Sequence, residues 1–261
     1  MSGLFRLGGR IAFVSGAAGH LGREMSRALC EAGAHVILNG RDDTKLKGFE
    51  DQLRKNGFSV ERASFDVTDF TRLREFFGHL SRLDVLVNNA VSMTPKPFSA
   101  LTPSDFETTY ASAVTSAFEA VRAALPALRK SVEAEGDASV VNIASMYGAV
   151  SPDPRIYSAP ERASPFHYGP AKAAVIQLTR HLAAELGPER IRVNALTPGS
   201  FPRDEVAATD PEFAARLSQK TMLGRTGRAS EIRGPLLFLA SKASSYVTGT
   251  SLAVDGGWTA W

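Results

Sequence analysis

Tyr168 and Lys172 stand four residues apart in the run Tyr168-Gly-Pro-Ala-Lys172. On a helix that spacing puts a phenol and an ammonium on one face. A free tyrosine, with a pKa of about 10, is a poor base at neutral pH. A fixed cation beside it stabilises the phenolate, so the pair could move a proton near neutrality. Ser145 lies just past an apolar run that ends at Ile143 and could donate a hydrogen bond to a carbonyl or alkoxide oxygen. Together these groups suit acid–base work on a substrate oxygen. Alone, Tyr-x-x-x-Lys is a common pattern that usually marks a surface pair, so its meaning comes from the segments around it.

A second chemical feature opens the chain. Ser15-Gly16-Ala17-Ala18-Gly19-His20-Leu21-Gly22 follows the apolar run Ile11–Val14 and leads into a helical pattern. Glycines there allow a tight turn, close approach of a phosphate and packing of helix on strand. The helix N-terminus then offers free N–H groups and the positive end of its dipole to a pyrophosphate. A ligand-free glycine turn is the alternative, and the order strand, glycines, helix favours the nucleotide. His20 is expected beside the cofactor, since none of the five histidines has a metal-ligand spacing and no metal site is expected. The end of the second strand reads Val36-Ile-Leu-Asn39-Gly40-Arg41-Asp42. Gly40 occupies the place of an acid that would hold the ribose 2′-OH of NAD, and Arg41 suits the 2′-phosphate of NADP. NADP is therefore the favoured cofactor and NAD the alternative. Asp42 and Asp43 are expected to cap the next helix.

The elements that must position these groups alternate along the chain. Runs at 11–14, 35–38, 85–87, 139–143 and 191–195 are short, apolar and β-branched, as strands covered on both faces should be. Helical patterns at 21–32 and 105–130 lie between them, implying a parallel sheet with right-handed crossovers. Residues 151–165 and 199–227 look irregular and follow late strands, where ligand-covering loops of an open α/β sheet belong. No linker or repeat divides the 261 residues, so residues 1–261 are expected to form one domain with substrate loops at about 146–167 and 199–227. Hydrophobic residues make up 44% and charged residues 22%, which excludes a disordered or collagen-like chain. The net charge of +3 comes without a dense basic run, so neither nucleic acid nor a membrane is an expected partner. A single cysteine and no signal-peptide core fit the cytoplasm.

The order of these motifs resembles the short-chain dehydrogenases/reductases over essentially the whole chain. The resemblance includes Asp66-Val67 after the third strand, Asn88-Asn89-Ala90 after the fourth, Pro198-Gly199 after the sixth, Leu223-Gly-Arg225, Val247-Thr-Gly249 and Val254-Asp-Gly-Gly257. It implies a single Rossmann-type doubly wound sheet of seven parallel strands, order 3-2-1-4-5-6-7, with helices on both faces. It also implies a nicotinamide cofactor bound by Ser15, Gly16, Gly19, His20, Leu21, Gly22, Arg41, Asp66, Val67, Asn89, Ala90, Pro198 and Gly199. By the same resemblance Tyr168 passes the proton, Lys172 binds the ribose and tunes the tyrosine, and Ser145 orients the substrate oxygen. The family is usually dimeric or tetrameric.

Four departures from the family pattern stand out. The glycines are spaced G-x-x-G-x-x-G, as in the longer sugar-nucleotide epimerase branch, whereas the other motifs and the length match the compact branch. Val91 replaces the glycine that usually follows Asn-Asn-Ala. The helical Asn that holds a relay water in the family maps to Ala113, with Ser112 or Ser116 as stand-ins, which predicts a working but altered proton relay. Finally, 23 residues separate Ser145 from Tyr168, more than is usual in the family. This surplus segment resembles a gluconate 5-dehydrogenase-like group acting on sugar acids, polyols or related hydroxylated compounds. It makes Tyr147, Arg155, Tyr157 and His167 candidate substrate contacts; Glu161, not Lys, stands four residues after Tyr157 and argues against Tyr157 as the catalytic tyrosine. The expected activity is NADP-preferring hydride transfer between a secondary alcohol and a ketone on a small molecule. The alternatives are a non-catalytic nucleotide-binding or regulatory protein and a cofactor-retaining epimerase or dehydratase.

Overall fold

The structure, a computed structural model, describes residues 3–159 and 163–261. Pro160, Glu161 and Arg162, within the expected 146–167 loop, lie outside the described residues. Seven parallel strands form one sheet in the order β3-β2-β1-β4-β5-β6-β7, the order implied by the resemblance. They are β1 (Ile11–Val14), β2 (His35–Gly40), β3 (Val60–Ser64), β4 (Val85–Asn88), β5 (Ala138–Ile143), β6 (Ile191–Pro198) and β7 (Ser251–Val254).

Strand side chains alternate between two buried layers. Ala12, Val14, Val36, Leu38, Val85 and Val87 join one apolar cluster with Met25, Leu29, Phe49 and Leu236. Phe13, Ile37, Leu86 and Val140 point the other way, against Leu73, Phe77, Val121 and Leu182. Helices α1 (His20–Glu31), α2 (Asp43–Lys55) and α9 (Arg233–Ala240) thus cover one face. Helices α3 (Phe70–Gly78), α5 (Ser116–Glu135) and α6 (Tyr168–Leu186) cover the other. Full burial of a side chain such as Phe13 or Leu86 stabilises the fold by roughly 1.5–3 kcal/mol.

Polar groups at strand ends fix the frame. Asp84 is fully buried just before β4; its carboxylate accepts from Ile11 N at 2.7 Å and Ser131 Oγ at 2.6 Å and pairs with Arg82 at 3.2 Å. Asp42 caps α2, accepting from Lys45 N at 3.0 Å, while Asp43 is the helix's first residue and bonds Arg62 at 2.9 Å.

Two segments differ from the sequence expectation. The helix expected over 105–130 is α4 (Pro103–Tyr110) and α5 joined by a π turn, Ala111–Thr115. Its start is also earlier, because Thr102 and Asp105 form a capping box with Pro103 at the first position. Within 199–227, expected to be irregular, lie α7 (Asp204–Thr209) and α8 (Pro211–Gln219). Asp210 caps α8, accepting from Phe213 N at 2.9 Å, ahead of Pro211. The strand order reverses direction between β1 and β4, which opens a crevice at the C-terminal ends of those strands.

Candidate active site

The first wall of that crevice is the turn after β1. Ser15 Oγ donates to Val87 O at 3.3 Å and accepts from Asn89 N at 2.8 Å and Ala90 N at 3.0 Å, stitching the turn to the loop after β4. Gly16 has φ +64, and a Cβ there would stand 2.8 Å from Asn89 Nδ2. That amide donates to Ser15 O at 2.8 Å and Gly16 O at 3.2 Å. A Cβ on Gly22 would overlap the carbonyl oxygen of Gly16, so α1 sits directly on the turn. Among the described residues no side chain caps the α1 N-terminus at Gly19. Uncapped amides beside a turn without side chains fit the diphosphate of a dinucleotide.

A cavity of about 530 Å³ runs from this turn to the catalytic candidates. Gly16, Gly19, His20, Leu21 and Gly22 line one end, beside Arg41, Asp66 and Val67. Asn89, Ala90 and Val91 lie along it, and Ser145, Tyr168 and Lys172 share its wall with Pro198 and Gly199. Every expected cofactor residue except Ser15 therefore faces one cavity, and Ser15 braces it from behind. Arg41 is 65% exposed, with Nη1 3.5 Å from Asp66 Oδ2. Asp66 is steadied by Thr68, which donates from N at 2.9 Å and Oγ1 at 2.8 Å. His20 begins α1, and its Nε2 lies 3.0 Å from Phe201 O, so that nitrogen is the donor.

The catalytic candidates come from the C-terminal end of β5 and the first turn of α6. Ser145 follows the strand, caps a 3-10 turn at Met146–Gly148 and accepts from Tyr147 N at 3.2 Å. Its hydroxyl is close enough to the Tyr168 phenol to pull that group's pKa down. Lys172 is 2% exposed; Nζ donates to Ile143 O at 2.6 Å and stands 5.6 Å from the Tyr168 ring centre. Burial pushes the Lys172 ammonium down from 10.5 to about 8. Burial also raises the Tyr168 phenol above its ordinary range, outweighing the Ser145 hydroxyl that lowers it. The sequence suggests that Lys172 lowers that phenol, but here the ammonium is directed at Ile143 O and desolvation dominates. Near neutrality the site therefore holds a protonated phenol and a charged lysine, a state ready to protonate a carbonyl oxygen.

One positioning device escaped the sequence reading. Asn88 Nδ2 donates to Asn142 Oδ1 at 2.9 Å, Asn142 Nδ2 donates to Thr179 Oγ1 at 3.0 Å, and Thr179 Oγ1 donates to Val175 O at 2.8 Å. The chain ties β4 and β5 to α6 and so fixes the helix that carries Tyr168 and Lys172. Its signal is an amide inside an otherwise apolar strand, which a buried sheet tolerates only when the amide is bonded.

Ala113 packs with Ala144, Ala171, Val175 and Ile176, with Val91 against them. Ser116 Oγ donates back to Ser112 O at 2.6 Å and does not face the cavity. Ser112 lines the cavity; its Oγ accepts from Ser92 N at 2.9 Å and donates to Thr109 O at 3.2 Å.

The four candidate substrate contacts lie away from the cavity wall. Tyr147 and Tyr157 share a hydrogen bond at 2.9 Å, and burial raises both phenols. They pack against Trp258 and Phe213 respectively. Arg155 is 85% exposed and bonds Asp153 at 2.9 and 2.8 Å. His167 is buried, with Nδ1 2.9 Å from Thr109 Oγ1 and its ring edge-on to Phe106.

Comparison with known proteins agrees with this geometry. The family model described as Enoyl-(Acyl carrier protein) reductase matches residues 16–259. A 3-oxoacyl-[acyl-carrier-protein] reductase of rhamnolipid biosynthesis from Pseudomonas aeruginosa is 36% identical over 97% of both chains. Gluconate 5-dehydrogenase from Gluconobacter oxydans is 31% identical, over 98% of this chain and 97% of its own. The crystal structure of a gluconate 5-dehydrogenase from Burkholderia cenocepacia in complex with NADP and tartrate superposes with a TM-score of 0.85, at 31% identity and 98% coverage of both chains. With the seven-stranded order, the glycine turn and the Ser145–Tyr168–Lys172 cluster in place, the chain belongs to the short-chain dehydrogenase/reductase family, whose members bind NAD(P).

Proposed function

We propose that the protein is an NADP-preferring oxidoreductase that interconverts a secondary alcohol and a ketone on a hydroxylated small molecule. The observation that carries this reading is the single cavity joining the glycine turn and Arg41 to Ser145, Tyr168 and Lys172. Bound NADPH would supply the hydride to the carbonyl carbon. Ser145 holds the carbonyl oxygen beside the Tyr168 phenol, with which it shares the cavity wall. Tyr168 donates its proton to that oxygen, and Lys172, charged and buried behind the ring, stabilises the phenolate that remains. Gluconate 5-dehydrogenase among the relatives supports a sugar acid or polyol, and the rhamnolipid enzyme supports a 3-oxoacyl compound. Arg41, exposed at the adenosine end with Asp66 as its one partner among the described residues, supports the 2′-phosphate.

The family's usual assembly supports a homodimer or homotetramer, and the lone buried thiol Cys30 supports a cytoplasmic setting. Among the described residues no helix is long and apolar enough to cross a membrane. The deciding experiment follows the absorbance of the reduced nicotinamide while purified protein is offered sugar acids, polyols, 3-oxoacyl compounds and their alcohol or ketone counterparts. Turnover with NADPH above NADH supports the reading. Nucleotide bound without turnover on any of them points instead to a regulatory protein, the alternative that Ala113 motivates.

A further inference from the structure

His167 stands immediately before Tyr168 at the N-cap of α6, is 1% exposed and does not line the cavity. Its side chain makes no cap to its own helix. Instead Nδ1 lies 2.9 Å from Thr109 Oγ1, near the end of α4. Thr109 is also buried, and its Oγ1 donates to Ser92 O at 3.0 Å. Ser92 N in turn donates to Ser112 Oγ at 2.9 Å. Both backbone groups of Ser92 are therefore held by side chains where α4 runs into the π turn, and Ser92 lines the cavity between Val91 and Met93. Ser92 O can only accept, so Thr109 gives its hydrogen there and must accept from His167. Nδ1 then carries a hydrogen, and Nε2, buried with no partner among the described residues, bears a lone pair. The opposite tautomer would bury an unpaired N–H, which native interiors avoid more strictly.

The first turn of α6 is thus fixed from two sides. On one side a Cβ on Gly169 would stand 2.9 Å from Tyr147 O, and one on Gly148 would stand 2.8 Å from the Lys172 carbonyl carbon. The helix therefore sits directly on the 3-10 turn that Ser145 caps. On the other side the His167–Thr109 bond links it to α4 and, through Ser92, to the loop after β4. The glycine contacts place Tyr168 against Ser145, and the hydrogen-bonded chain places it against the wall at Val91, Ser92 and Met93.

We propose that His167 is a positioning residue for proton transfer: acting through Thr109 and Ser92, it fixes the distance between the Tyr168 phenol and the cavity wall formed by the loop after β4. The inference rests on the oxidoreductase reading above. It concerns the reacting geometry and not cofactor binding, since a misplacement of about 1 Å at a reacting group can cost about a hundredfold in rate.

Steady-state kinetics with NADPH and a ketone that the wild type reduces, beside NADP titration and thermal melts, test this role. His167→Phe keeps a buried ring and removes the donor. It should lower kcat about tenfold to a hundredfold, while KM and NADP affinity stay near those of wild type. His167→Asn puts an amide Nδ2 where Nδ1 stands, so it should recover most of the lost rate. Thr109→Val keeps the shape without the hydroxyl and should match His167→Phe, whereas Thr109→Ser should resemble wild type. The double variant of His167→Phe with Thr109→Val should fall no further than either single one, because both break the same chain. NADP affinity checks that each variant is folded, and if His167→Phe does not fold, the Thr109 pair carries the same comparison. A merely structural bond would lower Tm in these variants and leave kcat in place. That result, losses that add in the double variant, or an Asn variant no faster than the Phe variant overturns the role. A wild type that binds NADP but turns over none of the offered compounds removes the oxidoreductase reading and this role with it. A His167→Phe variant that matches an active wild type removes this role alone.

Discussion

Replacing Lys172 by Met should make the protein more stable and unable to turn over. The ammonium is 2% exposed and burial lowers it from 10.5 to about 8. At about 1.4 kcal/mol for each pH unit, that displacement costs about 3 kcal/mol of folding stability when the lysine is charged. The bond from the charged ammonium to Ile143 O is lost in the variant, which costs about 1.5–3 kcal/mol, and the Met side chain fills most of the vacated volume. Lys172→Met should therefore gain about 1 kcal/mol at pH 7. The sign with pH is fixed by the two pKa values. Below about pH 8 the lysine is charged in both folded and unfolded chains and the whole penalty is present. Between about 8 and 10.5 the unfolded chain holds more protons, so wild-type stability rises with pH. Urea midpoints of the cofactor-free proteins at pH 7 and about pH 9.5 test this. The variant should lead at the lower pH and lose most of its lead at the higher. The raised Tyr168 phenol is common to both chains and cancels in the difference. A variant less stable than wild type at pH 7, or a lead that does not shrink, refutes the account of a buried, destabilising charge held for chemistry.

Tyr168→Phe should lower kcat by a factor of about 10²–10⁴ and leave NADP affinity, read by titration, near that of wild type; intact turnover would remove the proton-transfer role. Arg41→Ala should weaken NADP by about tenfold or more while NAD is little affected, because only the 2′-phosphate loses a charged partner; equal losses for both cofactors would count against that contact. Asp84→Ala leaves Arg82 and the Ile11 amide without their buried acceptor, so it should destabilise the fold by about 3–5 kcal/mol, seen as a large fall in Tm; a change within experimental error would show that the carboxylate does not anchor β4.

The sheet was readable because its determinants are local. Strand runs such as Ile11–Val14 are apolar on both faces, and the glycine turn and Asp42 sit where backbone geometry demands them. Strand β3 is harder to see, since its sequence Val60-Glu-Arg-Ala-Ser64 belongs to an edge strand with exposed charges. Helix α8 is hidden for a related reason: its stability depends on the Asp210 cap and on packing of Leu217 with Met146, Ile156 and Trp258, distant in sequence. The substrate candidates were chosen by position in a loop. Side-chain pairing within the loop decides where they point: Tyr147 bonds Tyr157, ten residues on, while Arg155 turns to Asp153 and solvent.

The relay position shows how a local irregularity changes what a count along the chain means. In a regular helix neighbours are about 100° apart, so Ser112 should face away when Ala113 faces the site. The π turn at Ala111–Thr115 widens that stretch, and both residues are buried. Ala113 enters the apolar cluster beside Ala144 and Ala171, while Ser112 reaches the cavity wall. A hydroxyl has one hydrogen and two lone pairs. Ser112 gives its hydrogen to Thr109 O or Ser92 O and takes one from Ser92 N, which leaves it a single lone pair. An asparagine amide would both give and take a hydrogen bond, whereas Ser112 in this arrangement can only take one. Under the proposed mechanism, proton supply to Tyr168 would then depend more heavily on Lys172, whose buried ammonium has Ile143 O as its protein acceptor, and activity would follow the pH range in which Lys172 keeps its charge.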